Sequence, residues 1–186
     1  MSTINTTDVE QGRLQLRLHL PCSWDCIESV RQAVAAVISA SLSNPMLAEQ
    51  LAMVASELLE NAVKHGEEGP ITLTVQESAG QLEVAVENPV GTDPVGTARL
   101  AQRIALIRQF ASAREAYLTA LLEVYEQGLA SGASGQSTLG LARIAAEGEC
   151  LLELEQSRPG WVTVRARRAV PTKQKEEKEE EQEVIP

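Results

Sequence analysis

A carboxylate and a carboxamide four positions apart, Glu57 and Asn61, are the residues of this sequence best placed to carry chemistry. In an α-helix, at roughly 100° per residue, both side chains project from one side. A carboxylate can orient a water molecule or accept a proton, and an amide oxygen suits a hard cation such as Mg²⁺. The alternative is that both residues are exposed to solvent and have no chemical role. Against this alternative, asparagine is a poor residue for the middle of a helix.

The pair lies in a predicted helix that begins at Asn44-Pro45, a capping amide followed by proline at the first helical position, and ends near His65. Gly66 is expected to give the helix a left-handed exit. His65 falls on the apolar stripe, which favours a core or structural histidine over a catalytic one. The buried stripe is predicted to contain Leu47, Leu51, Val54, Leu58 and Ala62.

Periodicity and turn residues predict the remaining elements. The predicted strands cover 13–20, 71–75, 82–86, 150–154 and 161–165. The predicted helices cover 24–41, 96–129 with a break at Ser112, and 139–146, and a mobile loop is expected at 128–135. Hairpins with helices between them favour an α+β fold, a two-layer sandwich of a mostly antiparallel mixed sheet covered on one face by helices. Within the second long helix, a buried stripe is predicted at Leu118, Leu121, Leu122 and Tyr125.

Length and composition predict one globular domain. The chain has 186 residues, of which 44% are hydrophobic, and a formal net charge of −10. We expect a flexible N-terminus at 1–12, the domain at 13–168 and a disordered charged tail at 169–186. The acidic balance argues against nucleic-acid or membrane-surface binding, and no apolar run approaches membrane-spanning length. The N-terminus lacks a signal-peptide pattern and the three cysteines lack framework spacing, so a cytoplasmic protein is expected.

The segment Ser-Glu-Leu-Leu-Glu-Asn-Ala-Val-Lys-His-Gly at 56–66 resembles the E-x-x-x-N-A-x-x-H box of the GHKL ATP-binding superfamily, and in particular that of anti-sigma-factor-type serine kinases. This resemblance, which covers roughly 13–168, implies the Bergerat fold with bound ATP and Mg²⁺. It implies that Glu57 activates a nucleophile and that Asn61 is a Mg²⁺ ligand. Lys64 could reach a phosphate as a point charge, or could only complement the helix dipole.

Two further family motifs are present in altered form. The Asp-x-Gly-x-Gly loop corresponds to 86–91, where Asn88 replaces Asp as the implied adenine reader and Gly91 is the one glycine. The ordinary alternative at that place is an Asn-Pro turn. The glycine-rich phosphate lid corresponds to 132–141, and the positions implied to touch phosphate are Gly135, Ser137, Thr138 and Gly140. A flexible linker with a Ser/Thr helix cap is the alternative there.

The resemblance implies a regulatory ATP-binding protein that acts as a serine/threonine kinase on a regulatory protein partner, with a homodimer as a further implication. The alternative is a degenerate relative that has lost nucleotide turnover and serves as a protein-binding scaffold. The altered second and third motifs favour that alternative.

Overall fold

The computed structural model of the protein describes residues 14–91, 94–130 and 136–170. Five strands and five α-helices lie within these ranges, with a 3₁₀ turn at Trp24–Cys26. In chain order they are β1 (Gln15–Leu20), α1 (Ile27–Leu42), α2 (Pro45–His65), β2 (Ile71–Ser78), β3 (Gln81–Pro89), α3 (Pro94–Ile107), α4 (Ala113–Ala130), α5 (Gln136–Ala146), β4 (Leu151–Arg158) and β5 (Trp161–Ala169). The predicted terminal segments, apart from residues 169 and 170, lie outside the described ranges.

The strands form one sheet in the order β1-β2-β3-β5-β4, and each of its pairings is antiparallel. The prediction of an α+β fold with a mostly antiparallel sheet is confirmed, and each described pairing in the sheet is antiparallel. The β2–β3 hairpin turns at Ala79 and Gly80, both with positive φ (51° and 73°), as a two-residue turn matched to strand twist requires. This topology makes β3 the central strand, and its C-terminal end borders the candidate site.

The core lies between the sheet and α1, α2 and α5. Strand alternation turns one set of β-branched and leucine side chains toward the helices, where α2 meets them with its apolar stripe. Each such side chain contributes about 1.5 to 3 kcal/mol on burial. The side chains that are at most 2% exposed include Leu51, Val54, Leu58, Leu73, Val84, Val86, Leu141 and Ile144.

Helix α2 has the predicted bounds. Asn44 caps its start, because its side-chain oxygen accepts a hydrogen bond from the backbone N–H of Leu47 at 3.0 Å. The predicted left-handed exit is wrong: Gly66 has φ −79° and ψ 172°, an extended conformation. Only glycine fits at this position, because a Cβ would collide with the carbonyl oxygen of Ala62 and stand 2.7 Å from Nδ2 of Asn88. The end of α2 is therefore packed tightly against the end of β3.

Helix α4 has the predicted period but presents the opposite face. The predicted buried stripe is exposed, with Leu122 at 61% and Tyr125 at 67%, and the buried residues are Ala116 and Ala120. Helical spacing fixes which residues share a face, whereas the neighbouring element decides which face is covered. Helix α5 covers the alanine face of α4, and the small alanine side chains let the two helices approach closely. Helix α4 also continues to Ala130, into the predicted loop, and α5 begins three residues before the prediction.

None of the helices in the described ranges combines the length and the apolar character that crossing a bilayer requires.

Candidate functional site

A cavity of about 360 Å³ lies between α2, α3, the C-terminal end of β3, the N-terminal end of β5 and the middle of α5. This cavity is called the central cavity below. Its walls are largely aliphatic and come from all of these elements. The apolar lining consists of Leu58, Ala62, Val86, Val90, Leu100, Leu141, Val162 and Val164. Its size and apolar walls are those of sites that hold small organic ligands.

The polar groups of the central cavity are amides and cations. Asn61 and Asn88 line it from α2 and β3, and Lys64, Arg99 and Arg103 line it from α2 and α3. Its described lining contains no carboxylate. In a protein with a net charge of −10, such a local excess of positive charge favours an anionic ligand.

Asn61 is held in place by its own helix. Its Nδ2 donates a hydrogen bond of 2.8 Å to the backbone carbonyl of Glu57 one turn earlier. That bond fixes the amide and leaves Oδ1 as the atom able to bind a cation. The described residues contain no group of three or more His, Cys, Asp or Glu side chains that could hold a metal ion. A metal near Asn61 would therefore need ligand oxygens from a bound anion.

Glu57 faces a different hollow. It lines an open groove of about 540 Å³ with α1 and the 3₁₀ turn, and it does not line the central cavity. Its Oε1 accepts a hydrogen bond from Arg143 of α5 at 3.0 Å, and Arg143 also binds Glu147 at 2.8 Å. The Glu57 side chain is 17% exposed, so the Arg143 guanidinium compensates a largely buried carboxylate. The two residues of the predicted pair thus border adjacent but separate spaces.

Gly140 of α5 lies close to both residues of the pair. A Cβ at this position would stand 2.5 Å from Oε2 of Glu57 and 3.6 Å from Nδ2 of Asn61. A larger residue there would therefore require the Glu57 carboxylate to move. The phosphate contact of Gly140 stays a prediction.

Asn88 is 5% exposed and lines the central cavity. Its Nδ2 donates to the carbonyl of Pro89 at 3.0 Å, an acceptor shared with the backbone N–H of Glu67 at 2.9 Å. The backbone bond from Glu67 joins the end of α2 to the end of β3 at the same carbonyl that holds the Asn88 amide. Its Oδ1 remains the acceptor available to a ligand amino group.

The other predicted contact residues are placed as follows. Lys64 lines the central cavity. Gly91 has φ +70° and lies beyond β3, outside the lining, where a Cβ would collide with the Glu67 carboxylate. Ser137 and Thr138 belong to the first turn of α5. Gly135 lies outside the described residues.

His65 lines the central cavity and is exposed, so its interpretation as a core histidine is wrong. Partial burial of the ring lowers its pKa below 6.5, and the neighbouring charges of Lys64 and Arg103 lower it further. The imidazole thus responds to the positive charges of these two neighbours.

Three arginines of this region were not predicted. Arg99 and Arg103 are four residues apart on α3, a spacing visible in the sequence, but nothing there indicates that α3 borders the cavity. Arg143 is 86 positions from Glu57 in the chain, so its ion pair arises from tertiary packing alone.

Comparisons with known proteins agree with this geometry. No curated protein sequence matches the chain significantly. A chain in the crystal structure of the SiaB–SiaC complex from Pseudomonas aeruginosa has a TM-score of 0.63 and 22% sequence identity, with 82% of the present chain and 88% of that chain covered. At this identity the likeness establishes the fold. The family model described as a histidine kinase-like ATPase domain matches residues 23–116, just over half of the chain. The chain therefore belongs to the histidine kinase-like ATPase domain family.

Proposed function

We propose that this protein binds ATP with Mg²⁺ in the central cavity and acts as a regulatory serine/threonine kinase on a partner protein. The observation that carries the proposal is the lining of the central cavity, which combines aliphatic walls, two fixed amides and three cations with no described carboxylate. Aliphatic walls suit a purine base, and the cations suit phosphates. The family match supports nucleotide binding as the general role.

Asn88 is proposed to recognise adenine. Its Nδ2 is engaged by the Pro89 carbonyl, so Oδ1 is the atom that accepts a hydrogen bond from the adenine amino group. Gly91 follows at the strand end, where its positive φ turns the chain. The backbone at Gly135 and Gly140, with Ser137 and Thr138, is proposed to close over the phosphates at the start of α5.

Phosphate binding is proposed for Lys64, Arg99 and Arg103. The Arg99 and Arg103 guanidiniums form no ion pair with a described carboxylate, and both point into the same cavity from one face of α3. The Oδ1 of Asn61 would complete the coordination of Mg²⁺ held by the phosphate oxygens. When bound, the metal would neutralise charge that develops on the transferred group.

Glu57 is proposed as the general base. A serine or threonine hydroxyl of the partner attacks the γ-phosphorus, the bond from that phosphorus to the β,γ-bridging oxygen breaks, and the hydroxyl proton goes to the Glu57 carboxylate. The products are ADP and the phosphorylated partner. Arg143 binds Oε1 of Glu57, so Oε2 is the oxygen proposed to accept the proton.

The partner is proposed to be a regulatory protein. The structural likeness to a chain from the SiaB–SiaC complex, an assembly of two proteins, supports a binding role of this kind. The proposal places the reaction in the cytoplasm, where ATP is supplied, and includes homodimer formation.

A protein-binding scaffold without turnover is the second candidate. The Glu57–Arg143 ion pair favours it, since it holds the predicted base away from the central cavity. Loss of lid glycines at Gln136 and Thr138 points the same way.

Thermal unfolding with and without ATP and Mg²⁺ tests the first proposal. A ligand at one hundred times its Kd adds about 2.7 kcal/mol to the free energy of unfolding, which is roughly 5 to 10 °C in Tm for a chain of this size. Asn61→Ala should abolish the part of the shift that depends on Mg²⁺, whereas Gln32→Ala on exposed α1 should leave it intact. No shift at millimolar ATP would leave the scaffold as the function.

A further inference from the structure

The groove that Glu57 lines is a second built surface, distinct from the central cavity. It has a volume of about 540 Å³ and lies between the 3₁₀ turn, α1, α2 and Arg143 of α5. This surface is called the Glu57 groove below. The groove is lined by Trp24, Ile27, Glu28, Arg31, Glu49, Met53, Ser56, Glu57, Glu60 and Arg143.

Its position relative to the central cavity suits an acceptor site. Glu57 and Asn61 are one turn apart on α2, which corresponds to about 6 Å along the helix axis. Glu57 opens onto the groove and Asn61 onto the cavity. Gly140 of α5 approaches both residues: a Cβ there would stand 2.5 Å from Oε2 of Glu57 and 3.6 Å from Nδ2 of Asn61. A hydroxyl that reaches Glu57 from the groove therefore arrives within one helical turn of the cavity.

The groove also carries an apolar anchor. Trp24 is 55% exposed at its rim, although large aromatic side chains normally bury most of their surface. Met53 lies beside it on α2 and is partly buried. An exposed tryptophan next to a methionine is the type of surface that protein partners use as a central contact.

The charge of the groove is negative. Four carboxylates and two guanidiniums line it. Arg31 binds Glu28 at 2.9 Å and Glu49 at 3.1 Å, so two carboxylates share one guanidinium. Glu60 forms no ion pair within the described part of the chain. Basic groups therefore complement this surface, in contrast to the cationic central cavity.

We propose that the Glu57 groove binds an extended basic segment of the partner protein, which places an apolar side chain on Trp24 and a serine or threonine hydroxyl at Glu57. The identity of the hydroxyl rests on the proposed kinase function, whereas binding of a basic segment does not. An arginine or lysine of this segment binds Glu60 and the neighbouring groove carboxylates, beside the hydroxyl at Glu57.

The test uses a fluorescein-labelled serine peptide with arginines on both sides and one leucine, and the same peptide with glutamates in place of the arginines. Anisotropy titrations of the full chain should detect the arginine peptide and not the glutamate peptide. Trp24→Ala should weaken binding by roughly tenfold, and Glu60→Lys by roughly threefold to tenfold. Met46→Ala and Glu123→Lys, exposed positions outside the groove, are the matched controls and should change binding less than twofold.

Equal binding of both peptides, no binding of the arginine peptide at millimolar concentration, or full binding by Trp24→Ala and Glu60→Lys overturns the proposal. Thermal unfolding of the same variants with ATP and Mg²⁺ separates it from the nucleotide site. An intact ATP shift with no peptide effect rejects the groove alone. Absence of the ATP shift rejects the kinase, while titrations without ATP still decide the groove.

Discussion

Replacement of Arg99 and Arg103 by alanine tests the nucleotide proposal at its electrostatic basis. Both side chains line the central cavity from successive turns of α3, and neither forms an ion pair with a described carboxylate. Removing them therefore breaks no described salt bridge, and the free energy of unfolding without ligand should change by no more than about 0.5 kcal/mol. We therefore expect the main effect of the two substitutions on the free energy of ligand binding.

The size of that effect follows from exposure. A hydrogen bond to a charged group contributes about 1.5 to 3 kcal/mol, but Arg99 is exposed and Arg103 half-buried, so solvent screening reduces the figure to about 1 to 1.5 kcal/mol each. Each single variant should then weaken ATP binding roughly fivefold to tenfold. The double variant should weaken it roughly thirtyfold to hundredfold if the two contributions add.

Isothermal titration with ATP·Mg²⁺ and with adenosine separates phosphate contacts from base contacts. Adenosine carries no phosphate, so its Kd should change by less than about twofold in the same variants. Raising the ionic strength should weaken ATP binding to the unsubstituted protein more than to the double variant. Salt screens the attraction between the arginines and the phosphates, and the double variant lacks these arginines.

Arg114→Ala supplies the matched control. Arg114 is exposed on α4, away from the central cavity, and forms no ion pair with a described carboxylate. The Arg114→Ala variant removes one positive charge, as each single α3 variant does. Any loss of ATP affinity in this control therefore measures the effect of the overall electrostatic field of the protein. Equal losses in Arg114→Ala and in the α3 variants, or equal losses for ATP and adenosine, would refute a phosphate site on α3.

Three further outcomes are expected. The pKa of His65 in the folded protein lies below its value of 6.5 in the unfolded chain, so the unfolded state binds more protons at pH values between the two. The free energy of unfolding should therefore fall as pH decreases through that window. In His65→Gln, the urea midpoint should depend less on pH. Gly140→Ala should lower the free energy of unfolding by about 1 to 3 kcal/mol, because its Cβ would stand 2.5 Å from Oε2 of Glu57. Gly96→Ala in α3 is the control: a Cβ there meets no atom within 4 Å, so this variant should be neutral or stabilising. Arg143→Gln should cost about 1 kcal/mol in the same denaturation assay, and a value near zero would show that its ion pair with Glu57 is negligible.

Local signals in the sequence predicted the architecture because they act over a few residues. Asn44-Pro45 gave the start of α2, and its apolar stripe gave the buried face. The alternating strands predicted at 71–75 and 82–86 form the β2–β3 hairpin, which places Asn88 at the end of β3. These rules act on neighbouring residues, so they need no knowledge of distant packing.

The parts that were not predicted depend on contacts between distant segments. The α4 stripe failed because helical period does not reveal which face a neighbour covers. Spacing placed Glu57 and Asn61 together, but they line different spaces, and Glu57 is paired with Arg143 of α5. A single chain contains no local signal for a contact across 86 positions.

Helix α2 separates two regions of opposite charge. On one side Asn61 and Lys64 border a cavity with cations and no described carboxylate, and on the other Glu57 and Glu60 border a groove with an excess of carboxylates. Partial desolvation, followed by repulsion from Glu57, raises the pKa of Glu60. Ligands of opposite sign on the two sides would complement this charge distribution. A polyanionic phosphate donor and a basic acceptor segment are such a pair, and they would meet at Glu57 and Asn61, which lie one helical turn apart on α2.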